Sequence, residues 1–238
     1  MTSRVAAIAA LLCVALSGCA TTTAGTATPA AETPLTTPES LPSLLLSATD
    51  VGAVMSSADM VVTRDVTAPW NDFARSSWND SARLQDAADC MAIAGAAQQD
   101  VYAGSGWTAL HGQVVREPPA APSWSHFAVQ AVVLFPTAQA AADFFAGSRD
   151  RWAGCSDREL TYAQQWAPDQ VWSVGPVSTD RDVLAVSRVQ RSPQTWSCQR
   201  ALTVHANVAV DVEACSLDGP ASAAADIARA IADRLPSA

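Results

Sequence analysis

Residues 196–215 read WSCQRALTVHANVAVDVEAC, two alternating strands around Ala206-Asn207. A two-residue turn there sets His205 opposite Val208, Arg200 opposite Glu213 and Cys198 opposite Cys215. One register thus supplies an opposite-charge pair and a bridgeable cysteine pair on a single face of a hairpin. In this register the even-numbered residues of the first strand take the non-hydrogen-bonded sites, where side chains approach more closely. The hairpin decides the fold: the chain is built on antiparallel strands.

The same period of two runs upstream. Strands are expected at 106–117 and 124–135, separated by Pro118-Pro119-Ala120-Ala121-Pro122, and at 158–164, 170–177, 182–189, 195–204 and 208–214. Along 124–135, Phe127, Val129, Ala131, Val133 and Phe135 point one way, while Trp124, His126, Ala128 and Gln130 point the other. Helical signals are interleaved. A short helix at 47–55 opens on a serine or threonine cap and precedes a strand near 60–66. An alanine-rich helix is expected at 86–102. Another begins at Pro136-Thr137 with Thr137 as N-cap and the stripe Ala141, Phe144, Phe145, Ser148 and Trp152. The last starts near Asp218-Gly219-Pro220 and carries Ala224, Ile227, Ala228, Ile231 and Leu235 on one face. Residues 67–84, with Trp70, Trp78, Asn71 and Asn79, read as an aromatic-studded loop. Strands with helices inserted between them predict an α+β domain, a single one over 41–238.

Upstream of it the chain has another character. One arginine, Arg4, precedes an apolar run at 5–16, too short for a bilayer roughly 30 Å thick that needs about 20 helical residues. This is the pattern of a secretory signal over 1–18. Its end, Leu16-Ser17-Gly18-Cys19, resembles the lipobox of bacterial lipoproteins, which implies that Cys19 is lipidated and becomes the mature first residue. One acyl chain anchors only marginally, and that resemblance supplies a diacylglyceryl group. Residues 19–40 then form a tether. From 20 to 40 it holds eight threonines, three prolines and two charges, Glu32 and Glu39, and cannot bury enough surface to offset its ordering entropy. A bare spacer and a glycosylated stalk both fit.

All 14 basic residues are arginine, and the net charge is −9. Loss of Arg4 with the signal leaves 13 arginines against 23 acids, or −10. An acidic chain without basic clusters excludes nucleic acid as a partner and electrostatic docking on anionic lipid. With Cys13 cleaved away and Cys19 acylated, four cysteines remain: Cys90, Cys155, Cys198 and Cys215. An even number in an exported protein reads as two disulfides, and none has the CxxC-type spacing of a zinc site. The hairpin register pairs Cys198 with Cys215 and leaves Cys90 for Cys155, a clamp between two helices.

Three stretches together carry a family resemblance: DCMAIAGAAQQDVYAGSGWTALHGQ at 89–113, VLFPTAQAAADFFAGSRDRWAGC at 133–155, and the hairpin at 196–215. They resemble the PknH-like extracellular sensor domain, over about residues 41–236 with all four cysteines in place. That domain ends some actinobacterial transmembrane serine/threonine kinases and also occurs in free-standing envelope lipoproteins. The resemblance implies a curved antiparallel sheet with flanking helices, two disulfides and an open cleft for a ligand. It implies no particular ligand. The chain itself has no Gly-rich phosphate loop and no HRD or DFG signature, so any signal must pass through a partner.

No GxSxG, SxxK or HExxH is present, and His111, His126 and His205 fall in separate strands, so no enzyme, cofactor or metal is expected. A binding module fits better. Trp107, His111, Gln113, Trp124, His126 and Gln130 mix aromatic surface with hydrogen-bonding heads, a combination suited to small polar ligands such as saccharides or peptidoglycan fragments. These six are the expected ligand face, unless the 67–84 loop or the C-terminal helix covers them. The expectation is a lipid-anchored, extracytoplasmic binding protein of the cell membrane. An envelope interaction protein that binds another protein is the alternative.

Overall fold

A computed structural model describes residues 35–70, 83–85, 88–118, 125–163, 168–217, 219 and 222–236. Cys19 and Trp124, and most of the expected 67–84 loop, lie outside the described residues.

The hairpin stands at the centre. β9 (Trp196–His205) and β10 (Val208–Leu217) pair from His205↔Val208 to Trp196↔Leu217, with Arg200 opposite Glu213 and Cys198 opposite Cys215. Ala206 takes a left-handed φ of 48° at the turn. The turn is also a fastening point. The Asn207 side chain accepts from Thr36 N–H at 2.9 Å and donates to the carbonyls of Thr36 and Phe135, each at 3.1 Å. Residues 35–40, expected within the tether, are therefore pinned to the sheet through Thr36.

Outward from β10 run β4 (His126–Leu134), β3 (Ala109–Arg116) and the edge strand β1 (Val61–Val66). Outward from β9 run β8 (Val183–Gln190), β6 (Gln170–Val174), β5 (Glu159–Ala163) and the short β2 (Arg83–Gln85). β7 (Ser178–Asp180) pairs with β8 beside this path, and every ladder is antiparallel. The result is the α+β domain expected, one ten-stranded sheet among the described residues.

Helices cover both faces. On one side lie α1 (Leu41–Leu44), α2 (Ala48–Met55) and α6 (Ala223–Ala232), whose Leu41, Val51, Ile227 and Ile231 pack on Val132, Val210 and Val212 of the sheet. The Ser47 hydroxyl and the Asp50 carboxylate cap α2 reciprocally. On the other side lie α3 (Met91–Ala94), α4 (Gln99–Tyr102) and α5 (Ala138–Ala153). Thr137 caps α5 by accepting from Ala140 N–H at 3.1 Å, and Phe144 stacks on Tyr102 at 4.8 Å between centroids and meets Phe135 at a tilt at 5.2 Å.

The helix expected over 86–102 is broken. Its two α-helical turns are separated by Gly95-Ala96-Ala97-Gln98, where Ala97 adopts φ 53°. Tertiary hydrogen bonds outcompete alanine's helical propensity: Ala97 N–H donates to Asp211 at 2.8 Å, and Trp70 N–H donates to the Ala97 carbonyl at 3.0 Å. Two disulfides close the domain, Cys90–Cys155 and Cys198–Cys215.

Candidate functional site

Of the six residues expected to form one ligand face, the five that are described are divided by the structure. Trp107 precedes β3 and packs, half-buried, against the core on the α3–α5 side. His111, Gln113 and Gln130 lie on the opposite side of the sheet, beneath α1 and α2. Gln130 is fully buried there. Its amide accepts from Leu46 N–H at 3.0 Å, and donates to the Leu46 carbonyl at 2.8 Å and to Gln113 Oε1 at 3.2 Å. Gln113 donates in turn to Asp65 at 2.9 Å, and His111 Nε2 lies 3.6 Å from the same carboxylate oxygen. His126 is engaged by Glu117, 2.7 Å from Nδ1. This corrects the expectation of a common cleft. Strand alternation separated the two faces within β3 and β4 but misplaced Trp107, which lies before β3 begins, and the face away from the phenylalanines is covered by the N-terminal helices.

An open cavity lies instead on the α3–α5 side, among residues that alternation assigned to the core. It measures about 460 Å³. Its floor is the row of the sheet that runs from Arg188 on β8 through Cys198, Cys215 and Phe127, at the ends of β9 and β10 remote from their turn. Aromatic rings form the walls. Phe127 and Trp196 meet at 5.8 Å between centroids, and Tyr162 meets Trp172 edge-on at 6.2 Å. Trp70 closes another side, held by the 96–99 segment through a parallel bridge to Gln98 and by its indole N–H on the Ala96 carbonyl. Burial pushes the Tyr162 phenol up to about 12, so it stays neutral.

The polar groups at this site are the unusual part. Arg188 lies over the Trp172 ring at 5.1 Å, donates to the Ile93 carbonyl and pairs with Glu213, all within the protein interior. Its Nε–H and the Trp172 indole N–H have no acceptor among the described residues, which is uncommon for buried donors. Arg64 lies over Trp70 at 4.8 Å. Gln98, Gln170 and Gln190 complete the lining with carboxamides, each able to donate and accept.

One row deeper, Arg200 pairs with Asp211 at 2.6 Å and lies over Trp152 at 5.3 Å. Tyr102 donates its hydroxyl to Asp211 at 2.9 Å, and burial, reinforced by that carboxylate, holds its pKa well above the ordinary 10. The sulfurs of Cys198 and Cys215 come within 4.8 Å of Glu213. They are joined to each other and offer no thiolate to a metal.

The reading of the strands missed this site because periodicity reports which residues share a face, not whether that face is fully covered. A signal was present. Arg200, Asp211 and Glu213 interrupt the core-facing positions of the central hairpin, and buried charge is costly without a structural or binding role.

Residues 36–234 match the family model described as the PknH-like extracellular domain. Serine/threonine-protein kinase PknH of Mycobacterium bovis and that of Mycobacterium tuberculosis are each 34% identical over 177 residues, 74% of this chain. The match takes in 28% and 26% of those kinases, so the chain spans about a quarter of the relatives' length. The crystal structure of the extracellular domain of PknH from Mycobacterium tuberculosis superposes with a TM-score of 0.76 at 31% identity, covering 85% of this chain and 98% of that one. Among the described residues no helix is long and apolar enough to cross a membrane.

Proposed function

The chain belongs to the family of PknH-like extracellular domains, and on that premise we propose that it is a lipid-anchored, extracytoplasmic sensor-type protein that binds a small polar ligand in the aromatic cavity. The observation that carries the reading is the cavity itself. It is about 460 Å³, open, walled by Phe127, Trp172 and Trp196, and edged with carboxamide and guanidinium groups. Such a mixture suits a ring that stacks on its faces and hydrogen-bonds at its rim, as saccharide fragments of an envelope do.

The anchor half of the reading rests on Leu16-Ser17-Gly18-Cys19 and the threonine- and proline-rich run that follows. No catalysis is assigned. His111 sits by Asp65, His126 by Glu117 and His205 by the Pro236 carbonyl, three separate places, none of them in the cavity lining.

The full-length protein in detergent tests both halves. Saccharide fragments should raise its melting temperature, and Trp196→Ala should abolish the rise while Trp107→Ala retains it. Cys19→Ala should move the protein from the membrane to the soluble fraction. A variant at Cys19 that stays in the detergent phase overturns the anchor. An unchanged ligand response in Trp196→Ala overturns the cavity.

A second reading, an envelope protein that docks another protein, is favoured by one observation: Val61 and Val62 on the edge strand β1 are 37% and 38% exposed. Capture of an envelope protein that is lost on Val62→Lys would support it.

A further inference from the structure

Two buried donors with no acceptor among the described residues sit side by side on the cavity lining. β6 and β8 pair with Trp172 opposite Gln190 and Val174 opposite Arg188. Gln170 and Trp172 therefore share one face of β6, Arg188 and Gln190 share that face of β8, and all four line the cavity. Arg188 and Trp172 are 6% and 8% exposed. The guanidinium lies over the indole at 5.1 Å. Two of its nitrogens are engaged within the protein, one on the Ile93 carbonyl and one on Glu213. The third, Nε, has no such acceptor, and neither has the Trp172 indole nitrogen.

Buried donors left unpaired are uncommon, because each forfeits its bonds to water. A lone instance is within the ordinary run of native interiors. Here two fall on one stacked pair at the wall of an open cavity, with a carboxamide next along each strand. The charge of Arg188 is already matched by Glu213, which lines the same cavity. A carboxylate brought to Arg188 Nε would meet Glu213 as a like charge. A neutral carbonyl oxygen, with two lone pairs, accepts from both donors without that repulsion.

We infer that Arg188, Trp172 and the two glutamines form an amide-binding subsite, and that the ligand is an N-acetylated saccharide whose acetamido group is held there. The assignment rests on the cavity being the ligand site and adds the group by which the ligand is recognised. The acetamido oxygen accepts from Trp172 Nε1–H and Arg188 Nε–H. Gln190, half-buried and directly opposite Trp172, turns to accept the amide N–H as the carbonyl enters. Both donors are shielded from solvent, where a hydrogen bond is stronger than at a wet surface. A sugar with a hydroxyl in place of the acetamido group leaves them unpaired, and a site built around buried donors discriminates against such an analogue.

The test compares two trisaccharides on the full-length protein in detergent by calorimetry. Triacetylchitotriose and cellotriose share their rings and linkage, and differ in an acetamido group against a hydroxyl at C2 of each ring. The acetylated trimer should bind about tenfold tighter, and salt should barely change that advantage because the recognised group is neutral. Trp172→Phe removes the indole N–H and keeps an aromatic ring, so it should cost the acetylated trimer much more affinity than cellotriose. If Trp172→Phe fails to fold, a crystal structure of the wild-type protein with triacetylchitotriose decides. An acetamido oxygen within about 3.2 Å of Trp172 Nε1 or Arg188 Nε supports the subsite, and an acetamido group bonded elsewhere overturns it. Equal affinity for the two trimers, or a preference that Trp172→Phe leaves intact, overturns the subsite and leaves the cavity reading standing. An N-acetylated dipeptide amide that binds tighter than either trimer overturns the saccharide. Failure of both trimers to bind overturns the subsite and the cavity together.

Discussion

Arg200 faces Glu213 across the β9–β10 ladder, yet its guanidinium pairs with Asp211, two residues nearer the turn, at 2.6 Å. Glu213 is engaged instead by Arg188 from β8. Asp211 also accepts from Ala97 N–H and from the Tyr102 hydroxyl, so this carboxylate ties the broken helical segment to the sheet. A buried pair adds little net stability over an apolar replacement, but removing one partner strands the other charge. Asp211→Ala should therefore cost about 3–5 kcal/mol in urea unfolding. The double variant Arg200→Met with Asp211→Leu should be less damaging than the single one. A double variant at least as unstable would place the cost in the lost bonds to Ala97 and Tyr102 rather than in the stranded guanidinium.

Glu117 gives the protein an acid-sensitive fastening. Burial alone would raise its pKa, but hydrogen bonds from the His126 ring and backbone and from Ser125 outweigh it, and lower the value from 4.5 to about 2. A carboxylate depressed in the folded state stabilises the fold above its unfolded pKa, and that contribution disappears as pH falls through the folded one. The melting temperature should thus fall between pH 4.5 and about 2, and Glu117→Gln should flatten the slope in that window. An unchanged slope would assign the acid sensitivity to other carboxylates.

Local information made the central hairpin legible. Its turn, alternation and cysteines lie within one short stretch, and the register extends without interruption to Trp196↔Leu217. What the sequence concealed depended on distant parts of the chain. Alternation on β4 set Gln130 apart from Phe127 and Val129, but could not show that residues 41–55 return to bury Gln130 while the other side stays open around Phe127. Alanine-rich 86–102 looked helical because composition cannot register that Asp211 and Trp70 would take the Ala97 amide and carbonyl. The register of β1 against β3 shifts at Thr63, a bulge that shows only in the ladder it interrupts, so no periodicity in β1 could have placed Arg64.

The two disulfides should differ in strength. Cys90–Cys155 spans 65 positions and Cys198–Cys215 spans 17, so loop-closure entropy predicts about 4 and about 3 kcal/mol respectively. Paired alanine variants in denaturant should lose stability in that order. Cys198 lines the cavity, so the second pair should also weaken ligand binding, whereas Cys90→Ala with Cys155→Ala should leave affinity nearly unchanged in the folded fraction. The reverse assignment of the binding loss would move the site away from the β9–β10 floor.

Gln130 and Trp196 separate the two faces of the sheet. Gln130 bridges the Leu46 N–H and carbonyl as a neighbouring strand would, holding the chain between α1 and α2 against β4. Gln130→Leu keeps the volume but leaves both backbone groups of Leu46 unpaired, at a cost of about 1–3 kcal/mol. Because it lies across the sheet from the cavity, this substitution should leave saccharide affinity intact. Trp196 is only partly buried and meets Phe127 at the cavity wall, so Trp196→Ala should show the opposite pattern, with affinity lost and stability mostly kept. Denaturation and calorimetry on the same two variants give four values, and the crossed pattern is specific to a site on the α3–α5 side. If Gln130→Leu folds well and no longer binds while Trp196→Ala binds normally, the ligand sits beneath α1 and α2 instead, and those helices must open to admit it.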